Sequence, residues 1–139
     1  MASERLFVDT SGFYALLNGR DGAHKESFRI FMARATKSVL LTTEYVVVET
    51  ATLLRARSLP QLERSFFTLF DSTTRLQIIG SSLAFYTRTK DFFLKHQDHG
   101  WSFTDCASFV LMREEGVRDA LSTDHHFKQA GFVPLLKVQ

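Results

Sequence analysis

Cysteine occurs once in the 139 residues, at Cys106. No intrachain disulfide can therefore staple the fold, and a reducing compartment is its natural home. Two prolines and seven glycines are too few for a collagen-like or low-complexity chain. No apolar run approaches the ~18–20 residues that cross a bilayer. Residues 1–9 lack the anatomy of a secretory leader, because Glu4 interrupts the apolar stretch almost at once. Neither sign of charge dominates: 17 basic residues stand against 15 acidic, a net +2, with 45% of residues hydrophobic. That balance argues against disorder. The expectation is one compact cytoplasmic domain over residues 1–139, with no membrane contact.

What is present alternates short β-like runs with amphipathic helical ones. Leu6-Phe7-Val8 reads as a strand buried on both faces. Asp9-Thr10-Ser11 then offers capping oxygens to a helix carrying Phe13, Leu16 and Leu17. Residues 18–22 read as a turn, with Asp21 as N-cap of a helix whose Phe28, Phe31, Met32 and Ala35 recur at helical spacing. Val39-Leu40-Leu41 is a second strand. The β-branched residues after it favour a longer strand by propensity, yet a helix from Thr43 puts Val46, Thr50, Leu53 and Leu54 on one stripe and Arg55 and Arg57 in its last turn. Pro60 ends that helix or starts the next, lined by Leu62, Phe66, Leu69 and Phe70.

A third strand is expected at residues 76–79, and a helix from Ser81 or Ser82 carries Leu83, Tyr86 and Phe93. Residues 102–105 open another helix, with Cys106, Val110 and Leu111 inward and an end near Gly116. The last strands are placed at residues 120–123 and 133–136. Strands separated by helices imply crossover connections, so the fold class is α/β: a mostly parallel central sheet of four to five short strands flanked by helices.

Ligands of such sheets gather at the carboxyl ends of the strands, where the strand order reverses. Tested by that rule, Asp9 directly ends the first strand and Asp124 follows the fourth. Asp105 lies in the first turn of a helix, where the dipole favours an anion. Glu49 falls on or beside an apolar stripe, where an acid is costly unless paired or bound to a cation. Taken singly, each has a plain structural reading: Asp9 and Asp105 as helix-terminal acids, Glu49 as a partly exposed helix acid. Together, four carboxylates at one end of a sheet demand compensation, and hard oxygen ligands suit Mg²⁺ or Mn²⁺. The chemistry implied is hydrolysis of a phosphodiester by a metal-activated water. With those four acids engaged, the rest of the surface is clearly basic, which suits an anionic polymer.

Other constellations carry less. His125-His126 reads as a pair of surface turn residues, Cys106 as a small core residue and Glu44 as a partner of its helix dipole. No GxGxxG or GxxxxGK[ST] occurs, which removes the usual dinucleotide and P-loop options. A receiver-type signalling domain would need paired acids after the first strand and a central aspartate; residues 78–80 supply none.

Four segments, residues 7–13, 41–50, 102–106 and 121–127, resemble in content and order the PIN-domain family, most nearly its VapC-type ribonuclease toxins. The likeness spans essentially the whole chain. It implies a single PIN-like α/β/α domain in which Asp9, Glu49, Asp105 and Asp124 hold Mg²⁺ or Mn²⁺. Asp9 and Asp105 would be the most direct ligands, with Ser11 and Thr104 in support and Phe127 anchoring the last turn. Glu49 is taken over Glu44 on the match to the family's V-x-x-E-T stretch. The resemblance further implies RNA cleavage, a homodimer and a cognate antitoxin, with residues around Arg55, Arg57 and Pro60 in the region that meets antitoxin and RNA. The rival readings are a stand-alone PIN nuclease and a non-catalytic RNA- or protein-binding module on the same scaffold.

Overall fold

The computed structural model describes residues 5–137. Five strands form one sheet: β1 (Leu6–Val8), β2 (Leu40–Thr43), β3 (Leu76–Ile79), β4 (Asp119–Leu121) and β5 (Val133–Pro134). Their order is β3-β2-β1-β4-β5, and every pairing is parallel. Seven helices connect and flank them: α1 (Thr10–Leu17), α2 (His24–Ala35), α3 (Glu44–Ala56), α4 (Pro60–Ser72), α5 (Leu83–Lys95), α6 (Phe103–Glu115) and α7 (His125–Gln129). The expected α/β class and strand count are both met.

Burial follows position in the sheet. Inner strands β1, β2 and β4 are buried along their whole length, whereas edge strands β3 and β5 expose residues such as Ile78 and Val133. This is why inner strands read as continuous apolar runs without alternation. At the end of β2, helix wins over β-propensity because Thr43 caps α3: its hydroxyl accepts from the Val46 amide at 3.1 Å. Val46, Thr50 and Leu54 then face the core. Pro60 takes the first turn of α4, where its missing amide hydrogen costs nothing.

Helix α6 is the central one, buried continuously from Asp105 to Met112. Ser102 and Asp105 cap its start reciprocally, and Gly116 ends it in the left-handed conformation at φ 67°. Two expected faces are corrected. On α2, Phe31 is buried but Phe28 and Met32 are half exposed, and Asp21 does not cap the helix; its Oδ1 instead accepts from the amide of Ala23, the actual N-cap. On α5, Phe85 and Thr89 face inward, while Leu83 is 80% exposed and Tyr86 lies at the surface. Both errors arise because aromatic and aliphatic residues occur all round these outer helices, so spacing alone does not single out one face.

Strand order decides where a ligand would sit. From β1 the chain steps to β2 and β3 on one side, then crosses back to β4 and β5 on the other. The connections leaving β1 and β4 therefore diverge, and a crevice opens above these neighbouring strands.

Candidate active site

Asp9 and Asp124 flank that crevice. It is a cleft of about 440 Å³ lined by Asp9, Thr10, Ser11, Tyr14, Glu49, Arg57, Thr123 and Asp124, together with Asp21 and Leu53. Three of the four expected acids thus meet in one concavity. Glu49 is exposed, and its exposed side is the cleft. Asp105 does not line the cleft. It is buried at the start of α6, close enough to Asp9 to raise that carboxyl electrostatically. Glu44 belongs elsewhere: its Oε1 accepts from the Ser81 amide at 2.8 Å, beyond the end of β3.

Asp9 is 5% exposed, and its carboxyl is pushed up from 3.8 to about 7. Burial is the main cause. Hydrogen bonds from the Thr10 amide and the Ser122 hydroxyl oppose it, while the charges of Glu49 and Asp105 add to the rise. As N-cap of α1 the side chain makes no capping bond, so its expected role as a cap is not realised.

Each remaining acid is held by one oxygen. Thr10 Oγ1 donates to Glu49 Oε1 at 2.5 Å, in the range of a charge-assisted bond, and itself accepts from Thr50 Oγ1 at 3.2 Å. Asp124 Oδ1 accepts from the His126 amide at 2.9 Å, starting α7. Asp105 Oδ2 accepts from the Ser102 amide at 3.1 Å and lies 3.0 Å from His126 Nδ1. Ser122 ties the two strand ends together. Its hydroxyl donates to Asp9 Oδ2 at 3.0 Å and accepts from the Asp124 amide at 2.9 Å. With that proton committed, Ser11 Oγ, 3.2 Å away, is the donor to Ser122, and it accepts from the Thr123 amide.

Ser11 therefore ties the start of α1 to the loop after β4. Thr104 is half-buried in α6, where its carbonyl accepts from Ser108. The hydroxyls that reach the acids are those of Thr10 and Ser122. The sequence alone makes His126 a surface turn residue. The structure corrects this, placing its ring between Asp105 and Asp124, and the ligand atoms of Asp124, His125 and His126 lie within 4.8 Å of one another. The basic residues at the C-terminal end of α3 also part company. Arg55 is engaged with Glu63 on the surface, whereas Arg57 sits at the cleft rim, its guanidinium 5.0 Å from the centre of the Tyr14 ring.

The PIN-domain family model matches residues 6–133. The chain belongs to the PIN-domain family. This PIN domain is 31% identical over 129 residues to the 23S rRNA-specific endonuclease VapC20 of Mycobacterium tuberculosis, covering 92% of this chain and 95% of that protein. The crystal structure of M. tuberculosis VapC20, described as a sarcin–ricin loop cleaving toxin, superposes with a TM-score of 0.83 at 28% identity, covering 94% and 98% of the two chains. The PIN fold recurs in VapBC2 from Rickettsia felis, solved with a DNA fragment from its promoter, at a TM-score of 0.68 and 14% identity over 94% of this chain and 96% of that one. The chain is thus a relative of a VapC ribonuclease toxin over nearly its whole length. Among the described residues no helix is long and apolar enough to cross a membrane.

Proposed function

We propose that this PIN domain is a divalent-metal-dependent endoribonuclease that hydrolyses RNA phosphodiester bonds through an activated water, acting as the toxin of a VapBC-type pair. The observation that carries the proposal is the cleft's uncompensated negative charge. Asp9, Glu49 and Asp124 line it with Asp105 buried nearby, the most buried of the four rises to about 7, and among the described residues no lysine or arginine is ion-paired with any of them. A cluster built of hard oxygen donors fits Mg²⁺ or Mn²⁺. Asp9, Glu49 and Asp124 would hold the ion from the cleft, with Asp105 behind them. When bound, such a cation lowers the pKa of an attacking water and offsets charge on the phosphate.

The chain's own residues do the rest. Ser122 fixes Asp9, Thr10 fixes Glu49 and the His126 amide fixes Asp124, so the carboxylates are oriented before substrate arrives. Arg57 at the rim is placed to meet a backbone phosphate, and its contact with Tyr14 steadies it. The kinship with VapC20 supports a structured ribosomal RNA as substrate and an antitoxin as partner. A homodimer is part of the same reading.

The test is cleavage of ribosomal RNA by the purified protein. Activity is expected with Mg²⁺ or Mn²⁺ and is lost in EDTA. Asp124→Asn is expected to lower the rate by more than about 100-fold, beyond what loss of an indirect supporting contact produces. Cleavage at the wild-type rate in EDTA, or by Asp124→Asn, would overturn the proposal. A smaller effect is expected for Ser122→Ala, which releases one oxygen of Asp9 and the amide of Asp124 together. Mn²⁺ affinity should fall by about 10- to 100-fold while the protein stays folded, as titration calorimetry would show.

A further inference from the structure

The acid cluster contains one imidazole in close contact with it. His126 lies on α7, two residues beyond Asp124, and its side chain is only 25% exposed. Its Nδ1 stands 3.0 Å from Asp105 Oδ2 and 3.5 Å from Asp124 Oδ1. A carboxylate only accepts, so Nδ1 carries the hydrogen and donates it to the nearer oxygen. The backbone amide of the same residue donates to Asp124 Oδ1 at 2.9 Å. One residue thus grips two acids that are 19 positions apart in the chain, one through its ring and the other through its main chain.

Without the ring, Asp105 would be held only at its helix end. The Ser102 amide, 3.1 Å from Oδ2, is its other hydrogen-bond partner and belongs to the cap of α6. Both bonds fall on Oδ2, leaving Oδ1 without a hydrogen-bond partner among the described residues. Neighbouring His125 is different: its side chain is 71% exposed and makes only a 3.7 Å approach to Asp124.

We infer that His126 is a positioning residue for the acid cluster, its ring holding Asp105 in register with Asp124 and so fixing the arrangement of carboxylates that a cation would meet. This rests on the metal-dependent reading above. The role is indirect: ligation through Nδ1 would require giving up the Asp105 bond. A supporting hydrogen bond of this kind to a ligating group is commonly worth about 10- to 100-fold in metal affinity.

The experiment is Mn²⁺ binding to the full chain, followed by calorimetry and by the electron paramagnetic resonance signal of free Mn²⁺. His126→Ala should bind about 10- to 100-fold more weakly than wild type. His126→Asn, whose side-chain amide can donate from near the place of Nδ1, should recover most of the loss. In an Asp105→Asn background, His126→Ala should add little, because the ring acts through Asp105. Should His126→Ala fail to fold, His126→Phe keeps the ring volume without the donor and gives the same readout. Unchanged affinity on removing the donor, an asparagine no better than alanine, or an undiminished loss in the Asp105→Asn background would each overturn the inference. A wild-type protein that binds no Mn²⁺ sinks the metal-dependent reading along with it; binding that ignores His126 sinks the inference alone.

Discussion

Asp9→Asn is expected to abolish RNA cleavage and at the same time to stabilise the cation-free protein above pH 7. Both outcomes come from one carboxyl. Burial raises it from 3.8 to about 7 in the folded state, so between those values the native protein retains a proton that the unfolded chain has released. Where the unfolded state binds fewer protons, stability falls as pH rises. The penalty from Asp9 therefore grows from about pH 4, is complete above pH 7, and amounts to roughly 4 kcal/mol at most. Asparagine keeps the shape and an oxygen to accept from Ser122, but it never ionises. In EDTA, urea denaturation at pH 5 and pH 8 should show wild type losing stability at the higher pH and Asp9→Asn losing much less. Mn²⁺ should restore wild type at pH 8 and leave the variant unmoved. Parallel pH profiles for the two proteins would mean that the acids of the cleft do not strain it.

Gly12→Ala is expected to cost about 3 kcal/mol or more. A Cβ at Gly12 would lie 2.1 Å from the Leu121 carbonyl oxygen and 2.9 Å from its carbon. Those are backbone atoms of β4, and a flexible side chain cannot move aside to make room. The same carbonyl accepts from the Asp9 amide at 3.2 Å, and the Gly12 carbonyl accepts from buried Ser27 at 3.0 Å. Helix α1 must therefore shift bodily off β4, taking with it Thr10, Ser11 and the bond from Ser122 to Asp9. Urea midpoints would register the loss, and Mn²⁺ affinity should fall in the fraction that remains folded. A change below about 0.5 kcal/mol, the range of ordinary surface substitutions, would show that α1 and β4 are not pressed together as the structure has them.

The site was legible from the chain to different depths. Asp9 follows β1 directly and Asp124 lies three residues beyond the end of β4, and a strand end is a fixed address in a parallel sheet; locating the strands located these acids. Glu49 depended on choosing helix over strand at residues 44–48, a choice that the cap at Thr43 decides locally. Asp105 has a helix-terminal reading that the structure bears out, since it completes the cap of α6, and it also touches His126, a contact the sequence does not announce. Thr10 and Ser122 escaped notice as holders of the acids because their partners, Glu49 and Asp9, lie 39 and 113 positions away. A hydroxyl in a short segment offers no pattern that points to so distant a partner.

The order of the strands and of the helices up to α6, the parallel sheet, the buried inner strands and the concentration of acids near one end of that sheet were determined by the sequence alone. Those features depend on apolar runs, capping residues and chain direction, all of which are local. Only the tertiary structure decided which face of α2 and α5 turns inward, that Glu49 opens on the cleft while Asp105 lies behind it, and that His126 belongs among the acids. Each of these depends on rotation of one packed element against another. A rotation of one residue on a helix moves a side chain by about 100°, and the packing that selects it is shared among residues far apart in the chain.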